Sequence, residues 1–409
     1  MELFIIGWKN IFRNKRRTAL NIAALTIGIS LMIIGIGWVR GYFEGLYQGM
    51  IDLETGHIHV MHQDYREEAR RLPLDLNIQD ADALRSDLLD IDGVVEAGGR
   101  INFSLRISNG TESTFVQGRA IEPERESSVT ILDEYIQAGD YLSPEDNGVL
   151  VGASLAQRLN VEAGDIVFLT ARDRHGVENF IDARVTGIYE YGYPAVDNYM
   201  VFLPMTFAQG FLNMEGMMTK LVIRLEEGLH AEDRLDVVAQ AAEEHGYRAY
   251  NWKDFAQVMV STVQADTGSF YIILGILFLL IIIGILNSMS MAVQERTGEI
   301  STLRAIGMRK TKLSLMFLYE SISLGILASV IGIIITLPVA YWLQVYGIDV
   351  SGYLPEDIPI PFGEALQSLF LWTDFLYCAL AGIATAVLGS IFPARRAAKM
   401  NIAQTMSGR

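Results

Sequence analysis

Residues Phe270–Lys312 read FYIILGILFLLIIIGILNSMSMAVQERTGEISTLRAIGMRKTK. From Phe270 to Val293 no residue is charged, which is enough to cross a hydrocarbon core that needs about 20 apolar residues. The character then changes abruptly to alternating acids and bases. Ile300, Leu303 and Ile306 are spaced for one face of a short helix, and Gly307 supplies the stop. A membrane span that runs straight into a short charged helix sets the reading of the whole chain.

Three further apolar stretches are long enough to span: Ala19–Val39, Leu313–Leu343 and Leu369–Phe392. The third in order is longer than a bilayer requires, so it is expected to tilt, to kink near Pro338 or to project. The basic residues fix the orientation. Lys9, Arg13, Lys15, Arg16 and Arg17 precede the first span, and Arg296, Arg304, Arg309, Lys310 and Lys312 separate the second from the third. Arg395, Arg396, Lys399 and Arg409 follow the fourth, whereas Val345–Ser368 has no Lys or Arg. By the positive-inside rule both termini and the second connection face the cytoplasm. Residues 40–268 are then outside. They carry 39 acidic and 18 basic residues, a surface that repels nucleic acid and anionic headgroups. The fold class is therefore an α-helical membrane protein with four spans plus an α+β extracytoplasmic domain.

Ahead of the first span, Phe4, Ile5, Trp8, Ile11 and Phe12 recur at helical spacing opposite Lys9 and Arg13, as in an interfacial helix. No small-residue cleavage pattern follows the first span, so it reads as a retained anchor. The single cysteine, Cys378, excludes an internal disulfide, and the outer domain has to be stable by its core alone. Gly37, Gly41, Gly45 and Gly49 fall on one helix face, where another backbone can come close. Two readings of that face stand: a partner subunit or substrate path, and packing on the chain's own second span.

The outer stretch alternates helices and strands. Helix 80–90 leads to strands 94–97, 100–107 and 113–119. A second group has strand 149–151, helix 153–159 and strands 165–170, 179–189 and 199–203. Strand 220–225, helix 231–244, a short strand 247–250 and a helix 254–262 complete it. The order fits two α+β groups, the second inserted in the first.

No G-x-x-x-x-G-K-[ST] phosphate loop, G-x-S-x-G elbow, H-E-x-x-H or C-x-x-C occurs, so no catalytic, cofactor or metal site is expected in this chain. His57 and His59 share a strand face from which His62 points away, and no Cys or carboxylate at ligand spacing joins them; a solvated strand is expected. Glu320, about seven residues into the third span, is expected to pair with a nearby arginine such as Arg304.

The pattern E-R-x-x-E-I-x-x-L-R-A-I-G-M followed by Glu320 resembles the FtsX-like/MacB-like permease superfamily of ABC transporters. The N-terminal NIFRNKRRTALNIAALTIGIS and C-terminal FPARRAAKMNIAQTM extend the resemblance over all four spans. It implies that the charged loop is a coupling helix docking on a separate ATPase dimer, through Glu295, Arg296, Glu299, Ile300, Leu303, Arg304 and Gly307. ATP and magnesium would be bound by that partner, and this chain would be non-catalytic. The family layout implies residues 1–41 as interfacial helix and first span, and 42–267 as the outer domain. In it, a porter-like part (42–125 and 215–267) carries a sabre-like insertion (126–214). Residues 268–409 hold spans two to four, with the coupling helix at 295–307.

GDYLSPEDNGVLVGASLAQRLNVEAGDIVFL (139–169) and VTGIYEYGYPAVDNYMVFLP (185–204) resemble the lipoprotein-releasing permeases of the LolC/LolE type. These imply a bacterial inner membrane, a second permease copy or paralogue, a lipid-anchored protein as cargo, and a periplasmic carrier or adaptor. The proline-bearing hook that recruits the carrier in LolC-type subunits is replaced here by ARDRHGVEN (171–179), without proline. A MacB-type efflux permease and an FtsX-type regulator of cell-wall hydrolases remain the alternatives.

Overall fold

The computed structural model describes residues 15–192, 194–349 and 365–400. The interfacial helix expected at 3–13, and the tail beyond 400, lie outside the described residues. The chain divides into two units, one holding the spans and one holding residues 45–260.

The membrane unit contains four helices long and apolar enough to cross a bilayer. The first runs Lys15–Met50, the second Gln257–Glu295, the third Lys310–Tyr346 and the fourth Trp372–Lys399. The third stays helical through Pro338, and the fourth through Pro393. In hydrocarbon such continuity is expected, since a broken turn would leave amides and carbonyls without water to bond them. Small residues let the third and fourth helices approach. A Cβ on Gly325 would sit 2.9 Å from Cα of Ile383.

In the outer unit the strands of the large sheet are β1 (Ile58–Met61), β2 (Val94–Ser108), β3 (Ser113–Ile121), β4 (Ile136–Gly139) and β5 (Gly148–Gly152). They continue as β6 (Ile166–Arg172), β7 (Glu178–Tyr189), β8 (Met200–Pro204), β9 (Lys220–Leu225) and β10 (Arg248–Asn251). Their order is β10-β1-β9-β2-β3-β8-β5-β7-β4, and β6 joins β2 to β7. Six of them therefore close into a ring: β2, β3, β8, β5, β7 and β6. Leu105, Ile107, Val116, Val167, Leu169 and Val185 are buried there. The ring draws strands from residues 94–121 and from residues 148–204 alike, with Leu105 facing Ala171 and Gln117 facing Met200.

Two strands expected at 94–97 and 100–107 are one strand, β2. The Gly98–Gly99 pair that reads as a break is a packing requirement. Gly99 N donates to Glu122 Oε2 at 2.7 Å, and a Cβ there would lie 2.6 Å from Met218 Sδ. The helix expected from residue 254 begins at Gln257, after a 3₁₀ turn at Trp252–Asp254.

Candidate functional site

The second span ends at Glu295, and a short helix, Thr297–Ala305, starts one residue later. Arg296 occupies the joint with non-helical backbone (φ −102°, ψ 20°), which turns its side chain inward. There its Nη1 meets Glu320 Oε2 of the third span at 3.1 Å, with both side chains almost fully buried. The partner of Glu320 is thus Arg296 rather than Arg304. Arg304 instead donates from Nη1 to the carbonyl of Met308 at 2.9 Å.

The far end of the short helix is closed by a Schellman turn. Met308 N donates to Leu303 O at 3.0 Å and Gly307 N to Arg304 O at 3.1 Å. Gly307 adopts φ +100°, a conformation that a side chain strains. Leu303 and Met308, the apolar pair that accompanies this turn, both pack on the bundle core. Ile300 is buried in that core among Leu313, Met316, Phe317 and Ala394. The inner face is therefore Arg296, Ile300 and Ser301, with Leu303 half-buried. Ile306, expected on that face, is 79% exposed. The Schellman turn swings it outward beside Ala305, Thr302 and Glu299, and Glu295 is exposed as well. The arrangement is a rigid elbow: one face locked to spans two and three, the other presented to solvent with an apolar tip.

The glycine row divides. A Cβ on Gly37 would run into the ring of Phe370; one on Gly41 would overlap the Gln367 carbonyl and lie 2.8 Å from Cα of Ser368. Within the chain, the neighbour of Gly37 and Gly41 is the segment entering the fourth span rather than the second span. Gly45 is half-buried and Gly49 buried in the outer unit.

In the outer unit the first helix is continued by a π-helical turn, Ile51–Thr55. Polar contacts tie that turn to the sheet. Asp52 pairs with Arg224, Glu54 Oε1 lies 3.1 Å from Arg119 Nη2, and Arg100 donates to the Glu54 carbonyl. Arg100 also donates through Nε to Glu126 Oε2 at 3.1 Å, within a fully buried pair. His59 lies 2.6 Å through Nε2 from the Thr55 carbonyl. His57 and His59 are buried, so the solvated strand expected for them is corrected: β1 lies between β9 and β10, covered by this polar layer. Burial, and next the charge of Arg224, pushes His57 down to about 4. Burial likewise holds His59 well below the ordinary histidine range, with Lys220 adding to the effect. Burial raises Glu126, but Arg100 and the Thr130 hydroxyl outweigh it and hold the carboxyl below its usual range. Among the described residues no cluster of His, Cys, Asp or Glu is arranged to hold a metal ion. The ion pairs of Arg296 and of the polar layer were not legible, because each joins residues at least 24 positions apart in sequence.

An elbow packed between two of four spans, on a chain with a large α+β outer domain, defines a membrane permease of the ABC transporter class. Residues 271–402 match the FtsX-like permease C-terminal family and residues 18–241 the MacB-like periplasmic core domain, and the chain belongs to this FtsX-like/MacB-like permease family. It is similar to the lipoprotein-releasing system transmembrane protein LolE of Haemophilus influenzae, with 23% identity and 99% of each chain covered. It is also similar to LolC of Xylella fastidiosa, with 24% identity over 70% of this chain and 72% of that one. Among solved structures, the periplasmic region of MacB from Actinobacillus actinomycetemcomitans aligns at 11% identity and a TM-score of 0.38, over 52% of this chain and 94% of that one.

Proposed function

We propose that this chain is the permease subunit of an ABC transporter that extracts lipid-anchored proteins from the inner membrane and passes them outward. A separate ATPase dimer, which binds ATP and magnesium, seats on the elbow at Thr297–Ala305, with Glu299, Thr302 and Ile306 as its contact face. Glu295 and Arg304 flank that face; Arg296, Ile300, Leu303 and Gly307 keep it stiff. A second permease copy or paralogue completes the complex. The charge asymmetry along the chain supports an arrangement with both termini and the elbow in the cytoplasm and the acidic domain outside.

The observation that carries the reading is the elbow itself. A buried ion pair at one end and a Schellman turn at the other leave no slack through which a push on its outer face is lost. The lipoprotein cargo rests on similarity to LolE along essentially the whole chain. The physical need for ATP is clear, because each acyl methylene drawn out of lipid costs about 0.8 kcal/mol. An efflux permease working with a periplasmic adaptor is the second reading, favoured by the MacB-like match of the outer domain.

Purifying the tagged chain in mild detergent tests both. An ATPase and acylated protein in the eluate support lipoprotein release, an ATPase with an adaptor protein supports efflux, and no ATPase overturns the transporter reading. Depletion of the chain is expected to leave lipoproteins in the inner membrane.

A further inference from the structure

The outer ends of three spans are fastened by the segment that leads into the fourth. Leu369 N donates to the carbonyl of Gly37 at 2.9 Å, and Ser368 N donates to the carbonyl of Leu343 at 3.3 Å. Two successive amides thus bind the first span and the third. Asp374, in the first turn of the fourth helix, receives both arms of Arg40 from the first span, one of them at 3.0 Å. It also accepts from Leu371 N at 3.0 Å, which starts that helix. Gly37 and Gly41 make room for this strap, since a side chain at either would displace it.

The second span meets the first through a different kind of contact. The Phe270 ring lies over Gly35, with 2.9 Å between its Cζ and a Cβ placed there, and Ile281 lies against Gly28. Leu274 and Phe278 pack on the cluster of Ile29, Met32 and Ile33. This is a largely apolar seam, with the Tyr271 hydroxyl of the second span within electrostatic reach of Arg40. Of the most apolar stretch of the second span only 6% is buried, and four of the helix's five buried residues, Ile285, Met289, Ala292 and Val293, gather at the elbow end, Val263 being the fifth, near its start.

These contacts respond oppositely to separation within a bilayer. Parting the seam exchanges one apolar neighbour for lipid tails of similar character, so little is lost. Opening the strap would break two backbone hydrogen bonds and a two-armed ion pair whose carboxylate, Asp374, is buried, and lipid tails offer none of them a replacement.

We infer that residues 367–374 form a clasp that makes the first, third and fourth spans one rigid block, against which the outer half of the second span swings about its elbow end. The inference concerns the chain alone and stands whether or not its cargo is a lipoprotein.

Spin-label distance measurements on the full-length chain in lipid nanodiscs test it, with Cys378→Ala so that only introduced thiols react. Labels at Trp38 and Trp372, both exposed, report the first span against the fourth; labels at Ile272 and Trp372 report the second against the fourth. The first pair is expected to give one narrow distance distribution and the second a broad or two-peaked one. Asp374→Asn is expected to broaden the first pair. Equal widths for the two pairs, or a first pair that stays narrow in Asp374→Asn, would overturn the clasp. Thermal unfolding of each labelled chain, matching the unlabelled protein, establishes that the widths belong to a folded bundle.

Discussion

Glu320 of the third span and Arg296 at the end of the second form a buried ion pair, 3.1 Å from Oε2 to Nη1, that holds the elbow to the bundle. Removing one member leaves the other charged in an apolar site. In proteins such a loss costs about 3–5 kcal/mol, whereas replacing both members by apolar groups is often neutral. Glu320→Ala is therefore expected to lower the unfolding temperature of the detergent-solubilised chain markedly. Arg296→Met with Glu320→Leu is expected to recover most of it, and additive losses in the double variant would refute the pairing.

Gly307 carries φ +100° at the end of the short helix. A side chain in the left-handed region costs about 1–2 kcal/mol, so Gly307→Ala should loosen the Schellman turn without touching the buried pair. The expected readout is a co-purified ATPase that still binds but is less stimulated by the permease. Unchanged stimulation would count against a stiff elbow.

Ile306 and Glu299 are exposed on the same outer face. Ile306→Asp is expected to reduce ATPase recovery on the tagged chain while leaving its thermal unfolding unchanged, and Glu299→Lys is expected to reduce recovery as well. Full recovery of ATPase in both variants places the docking face elsewhere.

Gly41 and Gly298 make opposite predictions. A Cβ at Gly41 meets backbone of residues 367–368, whereas at Gly298, exposed in the short helix, nothing lies within 4 Å. Gly41→Ala should destabilise by about 1–3 kcal/mol as overpacking does. Gly298→Ala should stabilise slightly, by at most about 1 kcal/mol, through helix propensity. Comparing the two unfolding temperatures checks the sign of each.

The outer domain should weaken in acid. An unfolded histidine titrates near its ordinary value of 6.5, while His57 in the fold takes its proton only at about 4 and His59 also lies far down. Between those values the unfolded chain binds more protons, so stability falls as pH drops from 6.5 toward 4. Glu126 acts in the same direction. Its depressed value adds stability above the ordinary carboxyl range, and that stability is lost as pH falls through the folded value. Denaturant midpoints measured at pH 7.5, 6 and 5 should decline in that order, with a shallower decline in His57→Asn.

The four spans, the elbow after the second and most strands of the outer domain were legible along the chain. Each is announced by a local signal: an uncharged run, a change of period, or a glycine after a helix. The short helix after the second span was legible as a stretch, but Ile306 was placed on the wrong face because a straight helix was continued through its own terminal turn. The histidines were read as solvated because strand alternation says which side chains share a face and not what covers it. Here the groups that meet them come from other elements: the Thr55 carbonyl and the Phe255 ring against His59, and the Leu225 amide against His57.

The sequence by itself determined the number of spans, the expected orientation and the place of the elbow, since hydropathy and charge act over one or two helical turns and need no partner. Only the tertiary structure decided that Glu320 meets Arg296, that Gly37 and Gly41 face residues 367–370, and that six strands close a ring. The ion pair joins residues 24 positions apart, and Gly37 and Gly41 meet residues more than 300 positions further on. Which distant groups meet is set by how helices and strands pack together, a geometry that no local pattern encodes.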